Sequence, residues 1–587
     1  MNAMFNIDAG GMPIAQELTA MSEPIHAGTA GGNADRREGD TRSVARAGPG
    51  ERSYRLRWWT LGVLSVSLLI IIVDDTIINV ALPTLQRELG ATAAGLQWIV
   101  NAYILVFGGL LLTMGTLGDR FGRRRLLQLG LLIFGSASLY GAFADSAAQL
   151  IAARTAMGVG GALIMPSTLS IIVDVFPREE RVRAIGIWAA MAHLGIPLGP
   201  VVGGWLLEHY WWGAALLVNV PIVAVVLVAG WLVIPESRHP SPPRADLPGM
   251  VLSTAALAAL VYAIVEAPAA GWSSGVLAAA ALAIVSGTAF ILHERRTPAP
   301  MLDLRLFRNP RLRWGTVAIT LATFALGGLA FDLTQYLQTV AGYTPLQAGL
   351  RIAPLVIGFA VAGHAGLHLV RHIGTTRTVA GGLAVVAAAF VAFAQVEPGS
   401  TYWLLGIGLF VAGIAMGAVF IPATDAVMAA VPEVNAGLGS ALNDTSRQVG
   451  AALGVGVLGS LTNAAYSAGI DGALTGLAPS AAMAARRSVG AALQMADDLG
   501  GATGEGLRDA AMFAFTDGFA LAMLVAAGLL AAGAVLVWRG LPSSDVPSAT
   551  AHGTRVGGTA DPVTAAGTAD PITSAPVASA QVPMPPR

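Results

Sequence analysis

Four ionisable side chains stand inside apolar sequence. Asp74 and Asp75 fall in IIIVDDTIINVALP, Arg154 in QLIAARTAMGVGG, and Asp332 in LGGLAFDLTQYL. A charged group at the centre of a hydrocarbon layer costs about 2.5–3.5 kcal/mol on insertion scales, so such groups are paired, protonated or functional. A carboxylate and a guanidinium can make a charge-assisted pair, and a carboxyl can also take up and release a proton. The chemistry on offer is therefore ion pairing and proton binding rather than bond making. Consecutive helical residues do not share a face, so Asp74 and Asp75 should do different jobs. No serine–histidine–acid arrangement, metal-ligand spacing or Walker loop stands out. With no cysteine, thiolate metal sites and cysteine nucleophiles are excluded. An enzyme and an ATP-driven pump are disfavoured. The expectation is no metal and no cofactor, with the proton as coupling ion.

The elements that must hold these groups are membrane spans. The 587 residues are 55% hydrophobic and 12% charged, with mean hydropathy +0.65. A soluble domain carries about twice that charge. The net charge of -1 argues against a nucleic-acid partner. A spanning helix needs about 20 mostly apolar residues. Fourteen stretches qualify: 58–80, 97–117, 126–144, 149–172, 183–206, 214–234, 247–267, 276–292, 313–337, 348–370, 375–395, 402–428, 436–462 and 512–538. All 34 basic residues are arginine. They gather before span 1 (Arg52, Arg55, Arg57) and after spans 2 (Arg120, Arg123, Arg124, Arg125) and 4 (Arg178, Arg181, Arg183). They gather again after spans 8 (Arg295, Arg296, Arg305, Arg308, Arg311) and 10 (Arg371, Arg377), while Arg87 and Arg351 are exceptions. The positive-inside rule then predicts both termini in the cytoplasm, a parity that requires an even number of spans. Disordered cytoplasmic tails are expected over 1–57, with no cleavable signal peptide, and over 542–587. The long outer loop 463–511 reads either as a carrier of an amphipathic helix over 481–495 or as a solvated spacer.

Between spans 2 and 3 runs Gly115-Thr-Leu-Gly118-Asp119-Arg120-Phe-Gly122-Arg123-Arg124-Arg125. Its glycines permit a tight turn, and an acid beside arginines can form an interfacial latch. The arginines alone would suit a loop that only sets topology. The whole pattern resembles the signature loop of the major facilitator superfamily. Span 5 holds Gly195-Ile-Pro197-Leu-Gly199-Pro200-Val-Val-Gly203-Gly204, with small residues at four-residue spacing. It resembles the fifth-helix motif of that superfamily's antiporters, and His193 before it reads as a packing residue. Val73 through Pro83 resembles the span-1 motif of the fourteen-helix drug:proton antiporters, the multidrug-exporter branch. Asp74 stands at the motif's acid position and Asp75 at a variable one. Arg154 through Pro166 resembles the superfamily's span-4 motif, whose arginine is linked to proton coupling.

Depth makes an Asp74–Arg154 pair plausible. Arg154 is a few residues from the outer end of span 4, and Asp74 about 16 residues above the inner end of span 1. A static ion pair, or an arginine snorkelling to headgroups, is the alternative. Asp332 is a candidate for the substrate path, Glu266 for an interfacial acid, and Asp425 for a cap or latch. The loop Arg371-His-Ile-Gly374-Thr-Thr-Arg377 echoes the first signature loop without its acid, so a second latch must differ. The resemblance implies an all-α integral membrane protein. It would have two pseudo-symmetric six-helix bundles, 58–234 and 301–541, and two inserted helices within 235–300. It implies a monomeric, proton-coupled antiporter in the bacterial cytoplasmic membrane, exporting small amphipathic or cationic drugs by alternating access. The alternatives are a dedicated exporter of a self-made metabolite, lipid or peptide, and, more distantly, a non-transporting membrane sensor.

Overall fold

The computed structural model describes residues 51–238, 245–298, 300–431 and 436–542. Most of each expected tail, and the His193 side chain, lie outside the described residues. Among those residues there are helices and no strand. Fourteen of the helices are long and apolar enough to cross a membrane.

The first half comprises α1 (Glu51–Leu89), α2 (Ala93–Phe121), α3 (Arg123–Ala142), α4 (Ala147–Val175), α5 (Arg178–His209), the short α6 (Ala214–Leu217) and α7 (Asn219–Val233). An inserted pair follows, α8 (Leu247–Ala270) and α9 (Ser274–Arg296). The second half comprises α10 (Pro310–Gln335), α11 (Pro345–Ile373), α12 (Thr375–Phe393), α13 (Tyr402–Ala429), α14 (Ala436–Gly469), α15 (Pro479–Arg487), α16 (Val489–Leu499) and α17 (Gly501–Gly540). Helix α1 starts at Glu51 and runs for 39 residues, so it takes in the last residues assigned to the amino tail. It also continues past the predicted end at 80 through Pro83. The outer loop carries two helices rather than one. They break at Ser488, whose extended backbone and hydroxyl cap α16 through the Ala491 amide.

The packing repeats. In the first half α1 lies on α5, α2 and α3 lie on α4, and α3 lies on α7. In the second half α10 lies on α14, α11 and α12 lie on α13, and α12 lies on α17. The two halves are thus built to one plan. Each has its own apolar core, and Phe331, Ala452 and Val455 reach across to join the first. Their seams are α2 against α14 and α5 against α11. The inserted pair packs on itself, with α8 against both α2 and α14, so it straddles one seam.

The turns at the arginine-rich end, called here the basic end, also repeat. Gly122 joins α2 to α3 at φ 113°, and Gly374 joins α11 to α12 at φ 83°. Both values lie where L side chains are strained, so glycine makes these corners.

Candidate transport site

Arg154 is the largest fully buried polar side chain, at 0% exposure, and Asp74 is at 1%. Arg154 Nη1 donates to Asp74 Oδ2 at 2.5 Å. Its Nε donates to the Ile99 carbonyl at 3.3 Å, and its guanidinium lies 4.3 Å from the Tyr103 ring centroid. The other carboxylate oxygen of Asp74 accepts from Asn219 Nδ2 at 2.8 Å. That amide also approaches Ser138 Oγ at 3.1 Å, and Ser138 Oγ donates to the Leu216 carbonyl at 2.8 Å. Helices α1, α3, α4 and α7 therefore meet on one polar chain inside an apolar bundle. A buried charge pair is tolerable only when its remaining hydrogen-bonding capacity is met. Here nearly all of it is, apart from Arg154 Nη2 and the Tyr103 hydroxyl.

Asp75 is turned differently. It keeps partial solvent access, and its carboxylate has no hydrogen-bond partner among the described residues. The one-residue rotation along α1 thus yields one sequestered acid and one partly exposed acid.

At the basic end, Asp119 takes Arg123 at 2.7 Å, and Arg123 also pairs with Asp174 at the end of α4 and donates to the Ser170 carbonyl. The Arg123 amide bonds the Ser237 carbonyl at 3.0 Å, tying the loop to the chain beyond α7. Arg124 and Arg125 flank Glu236 at 3.9 and 3.5 Å. Gly115 lies against Pro166, and a side chain at Gly122 would strike Glu236. Arg120 stands outside this cluster. It is exposed and lies near the Phe121 ring. In the second half the Thr376 hydroxyl donates to the Leu541 carbonyl at 2.7 Å, so a neutral bond ties that loop to the end of α17.

The glycines of α5 sort into two faces. Gly195, Gly199 and Gly203 lie on α1, against Ile72, Thr76 and Ile77. Gly204 lies instead against the backbone of Pro345 and Leu346, and Gly349 of α11 lies against the Pro200 carbonyl. Around this contact, Gln338 Nε2 donates to the Val80 carbonyl at 2.9 Å and the Leu346 amide to Glu208 at 3.2 Å. Across the other seam Ser460 Oγ meets Gln97 Oε1 at 3.3 Å. The contacts of Gly204, Gly349, Gln338, Leu346 and Ser460 lie at the far end, opposite the basic end. Toward the basic end of α5, Gly186, Ile187 and Ala190 are exposed. Both seams are closed at the far end, and α5 is uncovered at the basic end.

A model of the Major Facilitator Superfamily matches residues 64–455. The chain belongs to the major facilitator superfamily. The chain is 38% identical to the "Multidrug efflux pump LfrA" of Mycolicibacterium smegmatis, over 82% of this chain and 95% of that protein. It is 34% identical to the "Methyl viologen resistance protein SmvA" of Salmonella typhimurium, over 82% and 98%. It is 33% identical to the "Tetracenomycin C resistance and export protein" of Streptomyces glaucescens, over 69% and 76%. These relatives support the multidrug-exporter branch that the span-1 motif resembles. The fold is also that of a crystal structure of a bacterial homologue of the human lysosomal transporter Spinster, with TM-score 0.58 and 20% identity over 84% of this chain and 98% of that one. The chain is a multi-pass membrane protein of the bacterial cell membrane.

Within this major facilitator fold, Asp332 is fully buried on α10 and apart from the Asp74–Arg154 chain. Glu266 accepts from Trp98 Nε1 at 3.1 Å, and Asp425 is exposed. Sequence reasoning missed Asn219, Tyr103, Asp174 and Glu236. It also missed the group at the basic end of the inserted pair. There Asp246 takes the Gly249 amide, His293 Nε2 and the Met301 amide, while Glu294 takes the Leu302 amide. Met301 and Leu302 form the floor of an apolar cavity of about 600 Å³ between the inserted pair and the α2–α14 seam. Burial opposes the Asp246 charge. The Gly249 amide, the His293 ring and the Met301 amide outweigh it and hold the carboxyl below its ordinary value of 3.8.

Proposed function

We propose that the chain is a monomeric proton-coupled antiporter. It exports small amphipathic or cationic toxic compounds, with the basic end and both termini in the cytoplasm. The observation that carries this is the sealed Asp74–Arg154 pair with the partly exposed, unpaired Asp75 one residue away. The names of the relatives support the direction and the class of cargo. With the basic end inside, the closed far seam belongs to a state open to the cytoplasm, ready to receive cargo. Asp75 offers a cationic compound a negative charge there. After the seams exchange, a proton from outside neutralises an acid of the Asp74–Asp75 couple. That weakens its hold on Arg154 and on the cargo, and the cargo leaves. Loss of the proton to the cytoplasm restores the pair. Each charge moved through 100 mV supplies about 2.3 kcal/mol. No cofactor other than the proton is needed.

The test uses a host stripped of its own efflux pumps and a panel that includes ethidium and methyl viologen, with and without a protonophore. Export should collapse with the protonophore and in Asp74→Asn, while membrane insertion stays normal. Undiminished proton-driven export by Asp74→Asn would overturn the assignment. A second reading, a dedicated exporter of a self-made antibiotic, is favoured by the likeness to a tetracenomycin C resistance and export protein. Under that reading, one compound on the panel would be carried and the rest refused.

A further inference from the structure

Asp332 is a fully buried acid that the proposed transport cycle leaves idle. Its Oδ2 lies 3.0 Å from Thr462 Oγ1, and its Oδ1 has no partner. Beside it is a space of about 20 Å³, room for roughly one water. The walls come from the far ends of several helices: Gln86 of α1, Gln335 of α10, Asn463 and Tyr466 of α14, Phe515 of α17, and Val489 of α16 above.

No charged side chain faces it among the described residues. Arg87 and Glu88 of α1 and Asp517 of α17 are exposed on other faces. The exposed Asp497 of α16 pairs with Arg508, and Asp498 is exposed beside it. The Tyr466 hydroxyl, the one titratable group at the wall, is spent on the Ala485 carbonyl at 2.7 Å. An unpaired carboxylate so enclosed would bear a large desolvation cost.

The hydrogen-bond inventory leaves room for a proton on this carboxyl. Thr462 has one hydroxyl proton and two oxygens within reach, Asp332 Oδ2 and, at 3.4 Å, the Gly518 carbonyl. An ionised Asp332 would claim that proton. A protonated Asp332 donates to Thr462, and Thr462 is then free to donate to Gly518.

The repeat between halves adds an independent argument. Asp74-Asp75-Thr76 on α1 corresponds to Asp332-Leu333-Thr334 on α10, the helix that plays the role of α1 in the second half. Both threonines bond back to the carbonyl four residues earlier, Thr76 to Ile72 and Thr334 to Ala330, each at 2.9 Å. In the first half α4 supplies Arg154. Its counterpart α13 has no basic residue along its length. The second aspartate therefore stands in the first one's place without the first one's cation.

We propose that Asp332 is a second proton-binding site, in which a proton takes the place that Arg154 fills in the first half and is exchanged with the far side beneath α16. Its use in coupling rests on the antiport reading; its occupancy by a proton does not.

The test is infrared difference spectroscopy on the full chain in oriented vesicles. Subtracting Asp332→Asn from the wild type should leave a carboxylic-acid carbonyl band at neutral pH. The band should fade as the pH on the far side rises and should shift in Thr462→Val, which loses its hydroxyl partner. Asp332→Asn keeps the shape of the side chain, and a monodisperse elution profile checks its folding. Absence of an Asp332-dependent acid band overturns the site. A band indifferent to far-side pH overturns the exchange. Ethidium efflux from the same wild-type vesicles is read separately. No proton-driven efflux beside a titrating band would sink the antiport reading and leave the site standing.

Discussion

At the scale of single residues, neither member of the Asp74–Arg154 pair can be deleted alone at low cost. Removing one member strands the other charge in an apolar interior, which costs about 3–5 kcal/mol. Arg154→Met should therefore lower the thermal midpoint of the purified protein sharply. Replacing both, as Asp74→Leu with Arg154→Met, should recover much of that loss and still leave proton-driven export dead. A double variant as unstable as the single one would mean that the pair is not the source of the cost. Asn219→Leu, which bares one oxygen of Asp74, should cost about 1–3 kcal/mol in the same assay. The acid and the arginine were legible in the sequence because charge is rare in apolar runs. Asn219 was not, since an amide near the start of an apolar span carries no mark of its partner on another helix. Nor could one sequence assign the two aspartates. The difference between them is a 100° rotation about α1, and only the neighbours of that helix give the rotation a meaning.

At the scale of elements, the glycines of α5 were legible as a packing stripe, but their partners were not. The four-residue spacing of Gly195, Gly199 and Gly203 predicts one face, and that face meets α1. Gly204 is one step further round and serves the seam to α11 instead. The two kinds of substitution should separate. Gly199→Leu drives into Thr76 within one bundle and should reduce folded yield. Gly204→Leu drives into the Leu346 backbone across the seam and should leave yield intact while holding the far end open. Single cysteines can report this, because the chain has none of its own. An Ile187→Cys label should react more slowly in the Gly204→Leu background, and an unchanged rate would refute the wedge. At the inserted pair, Asp246 sets a pH dependence. Its folded carboxyl is held below 3.8, so its contribution is present above that value and is lost as pH falls through the lower folded one. The difference in thermal midpoint between wild type and Asp246→Asn should be full at neutral pH and shrink on acidification below 3.8. A difference that grows on acidification would reverse the assignment.

At the scale of the whole molecule, hydropathy and arginine parity were enough to set fourteen helices, because each span must satisfy its own backbone in lipid and so announces itself by length. The seams were illegible, since they depend on contacts between helices hundreds of residues apart, such as Gln338 with Val80. Orientation can be read directly. With the basic end inside, a membrane-impermeant maleimide should label a cysteine at the exposed Arg487 in intact cells, and one at the exposed Arg295 only in inverted vesicles. The opposite pattern would turn the molecule over. Part of the far-end closure is made of main-chain atoms: the Pro200 carbonyl against Gly349, and Gly204 against the backbone at 345–346. Main-chain atoms are offered by every residue, so at these contacts only Gly204 and Gly349, where a Cβ would strike the facing backbone, are held to one identity. Mutations that retune which compounds are carried act on side chains, so away from Gly204 and Gly349 they can accumulate without loosening these main-chain contacts. The gate is thus shielded from the drift that would widen a resistance spectrum, and a lineage can explore new cargo while inheriting the same door.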